Sequence, residues 1–159
     1  YLMSQAIAEK TTPYAFDDSN IKWYPLGDIE HMSFSLLDVD LESEVINFIV
    51  KFDAGERIIQ HRHTSHANTF VIAGEHRMYH PDGSLKEVRP AGSYTSSPPG
   101  DSHYEGSGDE QAIVLYNILG HVDGKLFELM DDEKNIVAVL GMEDVKGAWA
   151  EQKGTTLEG

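Results

Sequence analysis

The stretch GERIIQHRHTSHANTFVIAG, residues 55–74, decides how this chain is read. Two glycines bracket the pair His61-Arg62-His63 and the run Thr69-Phe70-Val71-Ile72, which is β-branched and aromatic. Glycine frees the backbone where a chain reverses, and residues of that type favour strands, so the segment reads as a hairpin. Side chains alternate along an extended strand, which sets His61 and His63 on one face and Arg62 on the other. Two imidazoles on one face can reach one cation, while Arg62 points away from it toward an ion pair on the outer surface.

Similar short runs continue on both sides. In Val45 to Phe52, Ile46, Phe48, Val50 and Phe52 form one apolar face while Asn47 and Lys51 interrupt the other, the pattern of a strand half-buried in a core. Met32 to Val39 reads likewise. Ala73-Gly74 turns the chain into Glu75 to Tyr79, and His80-Pro81-Asp82-Gly83 closes a hairpin, because proline presets φ and Asp-Gly supplies a tight turn. Gln111 to Leu119 is apolar on both faces, which predicts a central strand sandwiched between layers. Leu126 to Met130 and Ile136 to Leu140 flank a turn at Asp131 to Asn135, and the spacing of Val145, Ala148 and Trp149 predicts one helix over Glu143 to Gln152. The expectation is one all-β domain over residues 21–152 with a short C-terminal helix, a polar arm over 1–20 and a tail over 153–159.

Composition narrows the function. At 159 residues and 40% hydrophobic content there is room for one ordinary core. Twelve Lys and Arg against 27 Asp and Glu give a formal charge of −15, which repels nucleic acid and anionic membranes. No run approaches the roughly 20 apolar residues of a spanning helix, and residues 1–5 lack the basic and apolar regions of a signal peptide, so a cytoplasmic location is expected. The absence of cysteine removes disulfides, thiolate metal sites and Cys nucleophiles, leaving the eight histidines and the carboxylates as metal ligands.

A third imidazole is available. Gly92, Pro98, Gly100 and His103 follow one another at spacings that set a Pro-Pro-Gly turn directly before a strand-borne histidine. Three imidazoles leave coordination positions open, which a catalytic metal needs and a closed structural site lacks. His66 reads as a surface or pocket-mouth residue, and His31, His76, His80 and His121 as titrating residues in turn or edge contexts.

The two spacings together, G-x5-H-x-H-x4-N-x5-G over residues 55–74 and G-x5-P-x-G-x2-H over 92–103, resemble the pair of motifs of the cupin superfamily, with Asn68 standing at the position of the motif Glu. The resemblance implies a small jelly-roll β-barrel with His61, His63 and His103 as ligands of a mononuclear metal, and no fourth ligand from position 68. Residues 45–152, notably Gly92 to His103, Tyr116 to Gly120, Asp131-Asp132 and Gly147-Ala148-Trp149, are similar to single-domain dioxygenases that cleave acetylacetone or 2,4'-dihydroxyacetophenone. That likeness implies iron(II), with zinc, manganese or nickel as substitutes, and cleavage of a carbon–carbon bond of a small diketone or hydroxyketone by O2. Phe48, Thr69, Phe70, Ser97, Val114 and Tyr116 are expected to line the substrate pocket, and Asn68 and Tyr79 to orient ligands or move protons. Thr69 and Ser97 replace an aromatic and an acidic residue of the acetylacetone-cleaving type, so the substrate itself does not carry over. The partners expected are a small molecule, O2 and further copies of the chain in a homodimer or homotetramer. Two other readings fit the same ligands: a metal- or ligand-binding sensor module without turnover, and a zinc or manganese isomerase or lyase acting as a Lewis acid.

Overall fold

Each apolar run becomes a strand because pairing satisfies its backbone while one face goes to the core. The computed structural model describes residues 15–154, so most of the expected N-terminal arm and C-terminal tail lies outside the described residues. The strands are β1 (Met32–Asp40), β2 (Val45–Phe52), β3 (His61–His63), β4 (His66–Ala73), β5 (Glu75–Tyr79), β6 (Leu85–Pro90), β7 (Tyr94–Ser97), β8 (Tyr104–Ser107), β9 (Ala112–Leu119), β10 (Lys125–Met130) and β11 (Ile136–Gly141), followed by helix α1 (Met142–Lys153). This is the expected all-β architecture with one C-terminal helix.

Five strands form one antiparallel sheet in the order β1-β2-β9-β4-β7, and two three-stranded sheets run β11-β10-β3 and β6-β5-β8. An isolated antiparallel bridge between His61 and His103 joins the two small sheets. Among the described residues no sheet closes on itself into a continuous barrel. The core gathers inward residues of the large sheet, Phe34, Leu36, Ile46, Phe52, Val71 and Val114 among them, together with Ile58 and Leu126 from the opposite side. The strand predicted at Gln111 to Leu119 is central in its sheet, between β2 and β4. Its outer face is covered in part: Ile113 is buried, while Leu119 at the end of the strand remains 41% exposed.

The turns follow from their residues. Asp82 Oδ1 accepts the Ser84 amide at 2.8 Å, and Gly83 takes φ 86°. Gly74 has φ 70°, and a Cβ there would lie 2.3 Å from the Gln111 carbonyl, so only glycine fits between β4 and β5. Helix α1 starts where Asp144 Oδ2 accepts the Gly141 amide at 2.8 Å and stops at Gly154 with φ 63°. Its Met142, Val145, Ala148 and Trp149 pack against the core, and Gln152 Oε1 accepts the Leu36 amide of β1 at 2.8 Å. No helix among the described residues is long and apolar enough to cross a membrane.

Two glycines predict opposite outcomes. A Cβ at Gly106 would come within 2.0 Å of the Glu56 carbonyl, so Gly106→Ala is expected to destabilise by about 3 kcal/mol, at the upper end for overpacking. Gly147 lies inside α1 with open space around it, so Gly147→Ala should stabilise by roughly 0.5–1 kcal/mol. Urea denaturation of both variants checks the pair.

Candidate metal centre

The centre is built on one piece of strand pairing. His61 and His103 exchange both backbone hydrogen bonds, each at 2.9 Å. Residues directly opposite in an antiparallel pair project to the same face, and their rings meet with centroids 4.7 Å apart. Two residues further along each strand the same face returns, bringing His63 from β3 and Glu105 from β8. His63 flanks the pair with its ring centroid 5.8 Å from that of His103. Glu105 lies on the other side, with Oε1 2.9 Å from His61 Nε2. Arg62 projects to the opposite face, as expected, and donates to Glu128 Oε2 at 2.8 Å, the residue directly across on β10.

Two of the imidazoles have Nδ1 committed to the backbone. His61 Nδ1 donates to the Ile59 carbonyl at 2.8 Å, and His63 Nδ1 to the Ser65 carbonyl at 3.0 Å. Backbone acceptors of this kind fix the tautomer and leave Nε2 facing the cluster. Burial, assisted by the neighbouring His61, lowers the His103 pKa from 6.5 to about 3, so this ring is a neutral donor. Burial opposes charge on His61 as well, but the hydrogen bond and negative charge of Glu105 outweigh it and raise its pKa. Glu105 meets the same burial penalty, and its bonds to His61 and His76 nonetheless hold it well below the usual carboxylate range.

His76, read as lying in a turn or edge context, is in fact part of this cluster. His76 is fully buried, and its Nε2 donates to Glu105 Oε2 at 2.6 Å. The reason is parity: Gly74 completes the turn, so His76 and Met78 on β5 face inward. Tyr116 donates its hydroxyl to the same Oε2 at 2.8 Å and stacks on Phe48 with centroids 4.9 Å apart. Glu105 and His76 were thus missed in the sequence, although Glu105 is two residues beyond His103 on one strand. Phe127 was missed too; it packs edge-on against Phe48 and His61.

A cavity of about 100 Å³ lies beside the cluster, lined by apolar residues apart from His61, Glu105, Tyr116 and Asp144, and walled by Phe48, Val50 and Phe127. Of the expected pocket residues, Phe48 and Tyr116 line it, and Val114 is buried in the core next to them. Thr69 is buried, its hydroxyl without a partner, and Ser97 is half-buried beside Ala67 on the inward side of β4 and β7. Phe70 is placed elsewhere: it is 42% exposed on the outer face of the large sheet. Asn68 also faces out, donating to Asn117 Oδ1 at 3.1 Å and contacting His66. Tyr79 sits on the face of β5 opposite His76, with the Arg57 guanidinium 5.5 Å from its ring.

One ligand atom each from His61, His103 and Glu105 lies within 4.8 Å of the others. With His63 adjacent, this mixture of imidazole nitrogen and carboxylate oxygen fits a divalent transition metal.

The protonation states set a pH profile for the metal-free protein. Below about pH 6.5 the unfolded chain protonates His103 and the folded one does not, so stability falls as the pH drops. Above about pH 6.5 His61 keeps a proton that the unfolded chain has lost, so stability falls as the pH rises through the raised pKa. Thermal denaturation should therefore peak near pH 6.5, with limbs of up to about 1.4 kcal/mol per pH unit, and His103→Gln should flatten the acid limb. A profile that changes in one direction only between about pH 5 and 8 would contradict these assignments.

Comparison with known proteins agrees with this architecture. No curated protein matches the chain in sequence. An acetylacetone dioxygenase from Acinetobacter johnsonii is similar in structure, with TM-score 0.67 and 19% identity over 94% of this chain and 99% of its own. A putative acetylacetone dioxygenase from Methylibium petroleiphilum gives TM-score 0.67 and 19% identity over 91% and 99%. The anti-sigma ChrR of Rhodobacter sphaeroides, in complex with SigE, gives TM-score 0.52 and 18% identity over 63% of this chain and 50% of its own. These likenesses establish a cupin fold. The family model of the ChrR cupin-like domain matches residues 11–123, and the chain belongs to that family.

Proposed function

We propose that the protein is a mononuclear non-haem iron(II) dioxygenase that cleaves a carbon–carbon bond of a small diketone or hydroxyketone. The observation that carries this reading is the convergence of His61, His63 and His103, with carbonyl-fixed tautomers on the first two, beside a small apolar cavity. Similarity to acetylacetone dioxygenase over nearly the whole of both chains supports it. Iron(II), when bound, supplies a Lewis-acidic and redox-active centre for a chelating oxygen substrate and for O2. The protein's own residues do the rest. His103, held neutral by burial, keeps its lone pair available over the working pH range. Phe48, Phe127 and the Tyr116 ring exclude water from the cavity and admit only a small substrate. In the overall reaction both atoms of O2 enter the products, one a carboxylic acid and the other a second carbonyl fragment. The roles anticipated for Asn68 and Tyr79 are not part of this proposal, because neither side chain faces the cluster.

The family match and the likeness to the anti-sigma ChrR favour a second reading, a metal-binding sensor module without turnover. Metal content by mass spectrometry on protein purified without chelators, combined with oxygen-electrode assays on diketones and hydroxyketones, separates the two. Near-stoichiometric iron that disappears in His103→Ala, with O2 uptake that needs both iron and substrate, is the expected result. Tightly held zinc or manganese without O2 uptake would favour the sensor or the Lewis-acid enzyme.

We also propose that the chain pairs with a second copy of itself through the outer face of the large sheet. The outward residues of β4, β7 and β9, from His66, Asn68, Phe70 and Ile72 to Tyr94, Ser96, Leu115 and Asn117, include no Asp, Glu, Lys or Arg. Phe70 and Tyr94 lie side by side there, 42% and 64% exposed. In a chain of net charge −15, this charge-free part of the face, away from Lys51 on β2, is where two copies meet with least repulsion. Sedimentation velocity should show a dimer or larger assembly that Phe70→Glu shifts to monomer; a wild-type monomer would dismiss the idea.

A further inference from the structure

We infer that Glu105 is itself a ligand of the metal, bound through Oε1 next to His61 and His103, and that it supplies the carboxylate which position 68 of the first motif lacks. The inference rests on the metal-site reading above and adds a donor to it.

Position 68 cannot make the contribution here, since Asn68 faces the outer side of the sheet and its amide is engaged with Asn117 and His66. Glu105 is on the correct face by strand parity, two residues from His103. Its Oε1 lies 2.9 Å from His61 Nε2. Two donors that occupy neighbouring corners of an octahedron at bond lengths of about 2.1 Å are about 3.0 Å apart, so these two atoms already stand at the separation of adjacent ligands. His61 Nδ1 is committed to the Ile59 carbonyl, which leaves Nε2 as the only nitrogen of that ring able to bind metal. A metal that takes Nε2 therefore arrives within reach of Glu105 Oε1.

The other carboxylate oxygen is prepared for the same role. Oε2 accepts from His76 Nε2 at 2.6 Å and from the Tyr116 hydroxyl at 2.8 Å. A monodentate carboxylate whose distal oxygen is anchored by fixed donors is the usual form of a supported ligand. The carboxylate is buried, with ion-pair partners only in His61 and His76 among the described residues. Burial of a carboxylate away from Lys and Arg is costly unless a cation compensates it. A divalent ion replacing the proton on His61 Nε2 leaves a positive neighbour at Oε1.

The chemical class of the ion follows. Imidazoles with one carboxylate form a mixed nitrogen and oxygen set suited to manganese, iron, nickel or zinc in the divalent state, harder than imidazole alone. The carboxylate also cancels one unit of the metal's charge, so an incoming chelate needs to bring less negative charge of its own.

Copper(II) is the probe for the test, added to the full-length protein and followed by electron paramagnetic resonance, with spin-echo modulation counting the coordinated imidazoles. Wild type is compared with His103→Ala, Glu105→Gln and Glu105→His. If Glu105 is a ligand, Glu105→Gln keeps the imidazole count, changes the copper hyperfine coupling and weakens binding by at least about tenfold, while Glu105→His raises the count by one. Wild-type spectra in both Glu105 variants would overturn the inference and leave Glu105 as a positioning residue for His61, with the metal site itself intact. Failure of the wild type to bind one copper, or copper unaffected by His103→Ala, would overturn the site reading on which the inference rests.

Discussion

Everything about the centre depends on two backbone hydrogen bonds, those that His61 and His103 exchange across an isolated bridge. They are the link between the β11-β10-β3 and β6-β5-β8 sheets, and they set the register of both strands at once. In that register His61, His63, His103 and Glu105 share one face without any loop having to place them. Residues 42 positions apart in the chain thus become neighbours through main-chain geometry alone.

The surroundings then decide what those side chains can be. A hydrophobic cavity raises the cost of charge, so every polar atom near it needs a partner. Glu105 is the point through which that cost is met: it accepts from His61, His76 and Tyr116. The His103 ring, without a carboxylate of its own, is left neutral. The same apolar wall that excludes water from a reaction therefore sorts five adjacent ionisable groups into donors and acceptors.

Much of this was legible in the sequence. The period-two run of β2, the Pro-Asp-Gly turn and the helical spacing near Trp149 each have a local cause, and local causes survive into the fold. The two histidine motifs could be read as neighbours because they recur as a pair. What escaped was parity across turns. Asn68 is five residues beyond His63, with Thr64 and Ser65 between the strands, and its outward direction depends on how that turn is spanned. Glu105 was within reach, since an even step from His103 along an unbroken strand returns to the same face. His76 was hidden because a residue just after Ala73-Gly74 looks like part of a turn, while the chain is already extended and buried there. Phe70 was misplaced for the same reason as Asn68, being an even step from it on β4.

Arg62 and Glu128, paired across β3 and β10 on the outer face, have a meaning beyond their own attraction. A strand of three residues offers few hydrogen bonds by which to recognise its correct alignment, and a slip of one residue turns every side chain over. Here such a slip would carry a guanidinium into the apolar interior and push both histidines out to water. The alternation His-Arg-His thus proofreads the shortest strand of the molecule: the arginine forbids the misalignment that the backbone alone would tolerate.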